Sequence, residues 1–421
     1  TMTFFSKIAE KLGFGKGEMR PQNVTYSDAV MESFGVGSQS ASGVTVSATS
    51  AMRVSAVAAC VGRISGSIVS MPLHIYQSTG EDARKRLQKD NLWFLLNESP
   101  SGQYTAASLW EYVSMAQLLR GDAFVLIRRS LNGSIKELLP LPWGSVSPVR
   151  GLSGVRYYVN MPSHNISTWF EPSEILHFPG LGFDDVTMRS MSVIQYGARN
   201  AIGGALAMDE YSGKFFEGGA HPSIILSAAG RMSPEQVSGL QNAFANKYAG
   251  LSNAHRLPMV LTEGLTAKEI SINAADSQLL ESRRFSVLDI CRAFGVPPHL
   301  VGETSGSTSW GSGIESMGRA FVQYTLSPWL VKIENEINRK IFVRDSGRFI
   351  EFDRDAMQAG DSAAQGAFFR MALGGPGSGD AIYTVNEIRK MRNMPPVAGG
   401  DELYRAPRDT TNKQENREQK A

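Results

Sequence analysis

SMSVIQYGARNAIGGALAMDEYSGKFFE, residues 190–217, is the stretch that sets the architecture. Wholly helical, it would run roughly 42 Å, yet Gly197, Ala198, Ala201, Gly203, Gly204 and Ala205 crowd its middle. Glycines weaken an isolated helix by about 1 kcal/mol each, while small side chains let another backbone come close. The segment is therefore predicted as a long helix that needs neighbours. Its counterpart is DSQLLESRRFSVLDICRAFG (276–295), helical again, with Leu280, Leu288, Cys291 and Phe294 as an inner stripe. Between the two lie SIIL (223–226), read as a strand, a helix opened by the capping box Ser233-Pro-Glu-Gln236, and strands near 257–261 and 268–272. Two helices flanking a small α/β insert describe a stalk with a module at its tip.

Upstream, Val54, Val57, Ala58, Val61, Ile64 and Ile68 recur at helical spacing, so 51–70 is predicted as a helix stopped by Pro72 and followed by the strand LHIY (73–76). ASLWEYVSMAQLLRG (107–121) is a second helix, ended by its glycine. DAFVLIRR (122–129) and SIKELLPL (134–141) flank Asn132-Gly133 and read as a hairpin. VRYYVN (155–160) and EILHF (174–178) add strands, making the first half mixed α+β. Downstream, 314–326 and WLVKIENEINRKIF (329–342) are helical, with Ser327-Pro328 as cap and first helical residue. A helix over 355–373, a break at GGPGSG (374–379) and a capping box at Thr384-Val-Asn-Glu387 complete the map. TFFSKIAEKLGF (3–14) has one apolar face and reads as a short amphipathic helix. Residues 15–50, rich in Gly, Ser, Thr and Asn, are expected to be mobile, as is the charged stretch 405–421.

Composition excludes several classes. The chain has 421 residues, 42% apolar and 19% charged, which supports a sizeable core and more than one domain. Its 42 basic and 40 acidic residues give a net charge of +2, so no global field marks a nucleic-acid or membrane-surface binder. The most apolar region, 54–76, is interrupted by Arg63 and several serines, short of the ~20 residues a membrane span needs. Cys60 and Cys291, far apart in sequence, argue against a disulfide framework, suit a reducing cytoplasm, and read as buried small apolar residues.

Chemistry is equally sparse. Gly213-Lys214 and Gly15-Lys16 lack the Ser/Thr of a phosphate-binding loop, and GFGKG (13–17) and GPGSG (375–379) lack the third glycine of a dinucleotide fingerprint. The six histidines include no i, i+4 pair, so no metal centre is assigned and they read as structural or surface residues. No G-x-S-x-G elbow occurs, and no catalytic residue or cofactor is nominated. Glu281, Arg283, Arg284, Asp289 and Arg292 form a mixed-sign row, either a solvated face or an ion-pair row between subunits. GETSGSTSWGSG (302–313) follows the second long helix. It is either a disordered connection or a mobile loop that presents hydroxyls and one ring, Trp310, to something passing or docking.

Several segments together resemble the portal protein family of long-tailed double-stranded DNA bacteriophages, the head-tail connectors of lambdoid siphovirus type. They are AVAACVGRISGSIVSMPLHIY (56–76), the hairpin region 118–146 from LLRGDAFVLIRR to LLPLPWGSV, EILHFPG (174–180), SRRFSVLDICRAFGVPPHLVG (282–302), FVQYTLSPWLVKIENEINRKI (321–341) and TVNEIRKMRNMPPVAGGD (384–401). None is a catalytic signature; the likeness lies in their order and combination. It implies an α+β portal fold with a mixed α/β wing, a two-helix stem, a small α/β clip, a tunnel loop and helix, and an α-helical crown. Mapped onto this chain, 1–50 is a mobile N-terminal segment, 51–189 the wing, 190–219 stem helix 1, 220–273 the clip and 274–296 stem helix 2. Residues 297–354 carry the tunnel loop, long helix and wing return, 355–398 the crown, and 399–421 a disordered tail.

The resemblance also implies a homo-oligomeric ring of about twelve subunits at one capsid vertex, in a virion assembled in the host cytoplasm. Double-stranded DNA would pass through its channel, and terminase, the major capsid protein and a head-tail connector or adaptor protein would be its partners, with no membrane involved. Glu303, Thr304, Ser305, Ser307, Thr308, Ser309 and Trp310 then become the tunnel loop facing DNA. Glu235, Gln241, Asn242 and Lys247 become the clip surface for partners, though each equally suits the solvated side of a helix. The alternatives are a capsid component without a channel role, or a phage processing enzyme such as a nuclease or peptidase, which would need converging carboxylates or a nucleophile and base.

Overall fold

The computed structural model describes residues 37–78, 84–87, 89–151, 154–217, 224–227, 233–239, 242, 266–269, 275–304, 312–342, 346–354, 362–375, 379–391 and 394–405. They fall in two compact units, one drawn from 1–309 and 323–352, the other from 310–322 and 353–421. The amphipathic helix expected at 3–14 and the strand expected near 257–261 lie outside the described residues.

The larger unit begins with a small hairpin, β1 (Ser38–Gln39) and β2 (Thr45–Val46), and a single helical turn, α1 (Ala48–Ala51). This corrects the expectation of mobility up to residue 50. Val46, Ala48 and Ser40 are buried, because the hairpin has a long helix to rest on, which composition alone does not reveal. α2 (Ser55–Ser70) buries Val57, Cys60, Val61, Ile64 and Ile68 along one face and runs into β3 (Leu73–Ser78), paired with β4 (Arg84–Arg86). α3 (Asn91–Asn97) is capped by Asp90, whose carboxylate accepts from Trp93 N at 2.8 Å. α4 (Ala106–Arg120) is capped by Thr105 and ends at Gly121 with φ +96°.

β5 (Asp122–Arg129) follows and is buried from Asp122 through Ile127, the centre of a three-stranded antiparallel sheet. Asn132-Gly133 turns it into β6 (Ile135–Leu141), as the sequence indicates. β7 (Val146–Gly151), β8 (Gly154–Met161) and β9 (Ile166–Phe170) form a second antiparallel sheet. Phe124, Leu139, Leu141, Val146, Tyr157 and Val159 fill the core shared by the two. β10 (Ile175–Pro179) closes the other edge of β5, with His177 opposite Phe124. Each large side chain buried here is worth about 1.5–3 kcal/mol.

A short hairpin, β11 (Leu181–Asp184) and β12 (Arg189–Met191), and a wide turn over Ile194–Ala198 precede α5 (Arg199–Glu217). The predicted helix thus starts later than residue 190, because Arg189–Met191 is held as a strand. β13 (Ile224–Ser227) and β14 (Thr266–Glu269) pair antiparallel, and 234–239 is helical behind its capping box, with Gln236 N donating to Ser233 Oγ. α6 (Ala275–Phe294) returns. Asp209 on α5 pairs with Arg283 on α6 at 2.5 Å, and Gly197 approaches Ala293. Contacts that climb one segment while descending the other make the pair antiparallel.

In the smaller unit, α7 (Ser312–Ala320) is helical. In the larger, α8 (Ser327–Ile341) buries Trp329, Leu330, Ile333 and Ile337. The expected Ser327 cap does not form: Leu326 is already in right-handed helical conformation and no side chain caps the helix. β15 (Arg348–Phe352), not anticipated as a strand, adds to the free side of β3, Ile350 opposite Ile75. Glu334 of α8 accepts from Phe352 N at 2.8 Å, and Asn338 brackets Ile350, so the helix fixes the register of this edge.

The rest of the smaller unit contains α9 (Ser362–Ala372) and α10 (Val385–Met391). The Thr384–Glu387 capping box is present, with Glu387 N donating to Thr384 Oγ1 at 3.1 Å and Thr384 N to the Glu387 carboxylate at 2.8 Å. Residues 399–405, expected in a disordered tail, are instead fastened. Asn386 Nδ2 donates to Asp401 Oδ1 at 2.9 Å, and Ala381 N donates to Tyr404 O at 2.8 Å. A buried asparagine reading backbone at a distance leaves no signature in the composition of the segment it holds.

Candidate functional site

Three sets of groups bear on function: the root of the 303–312 loop, the surface of the insert, and a buried polar node under β5. At the root, α6 ends at Phe294, and Pro297-Pro298 starts a tight 3-10 turn over Pro298–Val301. Thr325 Oγ1 donates to Gly295 O at 2.5 Å, Arg63 Nε to Leu300 O at 3.0 Å, and Glu303 N to Pro298 O at 3.0 Å. An open cleft of about 520 Å³ lies between α2 and this turn, lined by Ala58, Gly62, Arg63, His299 and Leu300. Glu303 is half-buried and faces Arg284 at 3.5 Å; Thr304 is exposed. The geometry thus anchors the start of the loop from three elements. Ser305, Ser307, Thr308, Ser309 and Trp310 lie outside the described residues.

The mixed-sign row on α6 is resolved into pairs within the chain. Arg283 binds Asp209, Arg284 binds Glu303 and Arg292 binds Asp289. These pairs are largely exposed, so each contributes about 0–1 kcal/mol. Of the four insert residues, Glu235 and Asn242 are exposed, while Gln241 and Lys247 lie outside the described residues.

The node under β5 is the densest ionisable cluster among the described residues. The Asp122 carboxylate is fully buried and accepts from Ser190 N at 3.1 Å and from His177 Nε2 at 3.1 Å. Tyr157 OH lies 3.3 Å from His177 Nδ1. Arg189 stacks on Phe124 and Trp143 with its guanidinium 3.9 Å from Asp122, an ion pair without a hydrogen bond. Burial pulls the Arg189 guanidinium down to about 10, opposed by Asp122. Burial, aided by Glu336, pushes the Tyr157 phenol up to about 12. Next to it, Glu336 accepts from His177 N at 2.8 Å and pairs with Lys340, whose ammonium is lowered by burial and also donates to Ile175 O at 2.5 Å.

An Asp–His–Tyr chain resembles a proton relay, but Asp122, His177 and Tyr157 are all buried, and the cleft described above lies elsewhere. Its work is to tie β5, β10, β12 and α8 together, which fits the reading of His177 as structural. Sequence reasoning passed over Asp122. The available signal was one carboxylate opening a wholly apolar strand directly after a helix-ending glycine.

Fold and site define a type of subunit, an α+β body whose buried ionisable groups, among the described residues, tie strands and helices together, and whose antiparallel helix pair leads into an anchored turn. Comparison with known proteins gives the family: residues 55–393 match the model of the phage portal protein family, and the chain belongs to it. It is 34% identical over 357 residues to the portal protein of Enterobacteria phage HK97, covering 84% of this chain and 82% of that one. It is 33% identical over 384 residues to the probable portal protein of Streptomyces phage phiC31, covering 89% and 82%. Among solved structures, a chain in the neck of a native gene transfer agent particle, computed with C12 symmetry, shares the fold. Its TM-score is 0.55 at 21% identity, over 89% of this chain and 100% of that one.

Proposed function

We propose that this chain builds a closed ring of about twelve copies at one capsid vertex, whose central channel admits and releases double-stranded DNA. Residues 51–189 with 346–354 serve as the wing, α5 and α6 as the stem, 220–273 as the clip and 355–398 as the crown. The observation that carries the reading is the antiparallel α5–α6 pair, which bears the insert at one end and at the other delivers the chain through the pinned turn 298–303 into the loop. Cyclic repetition of such a subunit sets the loops around one axis. The loop 302–313 contains no lysine or arginine. That suits passage, because neutralising roughly six to ten phosphates makes affinity change by ~10³–10⁵-fold over modest salt ranges and would act as a brake. The ring works by geometry and weak contact, with no bond chemistry of its own.

The clip surface, with Glu235, Gln241, Asn242 and Lys247, meets terminase during packaging and a connector protein afterwards; the wing meets the major capsid protein. The mature site of action is the virion, reached from assembly in the host cytoplasm. Electron microscopy of the purified chain tests the ring: closed particles with an open centre are expected, and monomers or extended lattices under all assembly conditions would refute it. Deleting 305–312 tests the channel role: assembled particles are expected to lose packaging or DNA retention, and unchanged behaviour would reject it.

A further inference from the structure

The cleft between α2 and the 298–301 turn holds one cation and one buried ring nitrogen that the fold itself leaves unanswered. Arg63 Nε donates to Leu300 O at 3.0 Å, which fixes the guanidinium at the cleft wall, while its two Nη groups meet no carboxylate among the described residues. Arg284 and Arg292 on α6 differ: the first faces Glu303 at 3.5 Å and the second pairs with Asp289. His299 lines the same cleft and keeps its Nε2 buried without a hydrogen-bond partner, a condition that few buried polar atoms of native proteins show. The remaining lining is small. Ala58 and Ala59 lie on α2, and a Cβ at Gly62 or Gly302 would meet nothing within 4 Å. At about 520 Å³ the space exceeds a single ion and admits a side chain together with the backbone that carries it.

We propose that this cleft is a carboxylate-binding site, filled by an acidic side chain from a second copy of the chain. The inference rests on the ring reading and deepens it by naming one contact through which neighbouring copies meet. A carboxylate accepts from both Nη groups of a guanidinium in one planar fork. His299 Nε2 supplies a further donor in the tautomer that carries its proton there. Charge complementarity selects the occupant. Glu111 on α4 and Glu281 on α6 are exposed carboxylates with no ion pair among the described residues, so the chain carries both halves of the contact on separate surfaces. A head-to-tail ring needs such unlike patches, because each copy turns one surface to the copy before it and another to the copy after. The cleft wall includes the turn that roots the 303–312 loop, so a carboxylate bound there ties the neighbour to the base of the loop.

The test uses the full chain carrying Arg63→Lys, which puts a primary amine into the cleft, with unlabelled and nitrogen-15-labelled chains mixed before assembly. A water-soluble carbodiimide joins an amine to a carboxylate it touches, and peptide mapping by mass spectrometry locates the amide. The expected product is an amide between Lys at position 63 and a carboxylate of a differently labelled chain, Glu111 and Glu281 foremost, in samples that electron microscopy shows as rings. Arg63→Ala is expected to raise the chain concentration for half-assembly about tenfold, and Arg63→Lys to restore most of the loss; the lysine variant keeps the cross-link readout should the alanine variant misfold. Rings without an amide between differently labelled chains would overturn the cleft proposal and leave the ring standing, as would Arg63→Ala rings that assemble at the wild-type concentration. The amide between chains in samples without closed rings would keep the contact and refute the ring. Monomers without the amide would overturn both.

Discussion

Replacing Asp122 by alanine isolates what the buried node contributes. The carboxylate sits 3.9 Å from the Arg189 guanidinium, a gross attraction of about 4 kcal/mol at an effective dielectric of about 20. Desolvation of both groups opposes most of this, so the pair itself is worth little net. Removing one partner is another matter. Arg189, with a side chain only 17% exposed, would remain as an uncompensated buried charge, at about 3–5 kcal/mol, and Ser190 N and His177 Nε2 would lose their acceptor. Asp122→Asn keeps an acceptor but not the charge and should cost about 1–3 kcal/mol. Asp122→Leu with Arg189→Met removes both charges and should recover at least ~2 kcal/mol relative to the sum of the single variants. Urea unfolding followed by tryptophan fluorescence reads these proteins together with wild type and the single variants Asp122→Leu and Arg189→Met. An Asp122→Ala midpoint within error of wild type, or a double variant no better than additive, would show that the node does not hold these elements together.

Gly121 has φ +96°, and a Cβ there would stand 2.1 Å from Ser190 O; Gly121→Ala should lose about 2–4 kcal/mol in the same assay from strain and overlap together. A Cβ on Gly203 would stand 2.2 Å from Ser40 Oγ, so Gly203→Ala should lift the β1–β2 hairpin, read as faster amide exchange over 38–46 with α2 unchanged. Tyr104, Tyr112 and Tyr157 are each raised to about 12, chiefly by burial. Their stabilising contribution is complete below pH 10 and lost as pH rises towards 12. The lowered Arg189 works the other way over the same range, since the unfolded chain keeps a proton that the folded one releases above about 10. Three phenols outweigh one guanidinium, so stability should fall from pH 10 to 12, and Tyr112→Phe should flatten the fall; a flat wild-type profile would refute the assignment.

What the sequence determined by itself were the local decisions. Apolar spacing placed α2, α4 and α6, Asn132-Gly133 fixed the β5–β6 hairpin, and the box at Thr384 opened α10, because each rests on residues within a few positions of one another. The small residues of 190–217 even announced a close neighbour. Which neighbour, the tertiary structure decided: Gly203 admits the polar hairpin around Ser40, and Gly197 admits Ala293. β15 was invisible for the same reason, since its register is set by Glu334 and Asn338 on α8 and by β3, far away in sequence. Asp122 with Arg189 is a pair whose energy exists only when separate segments are brought into contact, and no pattern along a single chain encodes that distance.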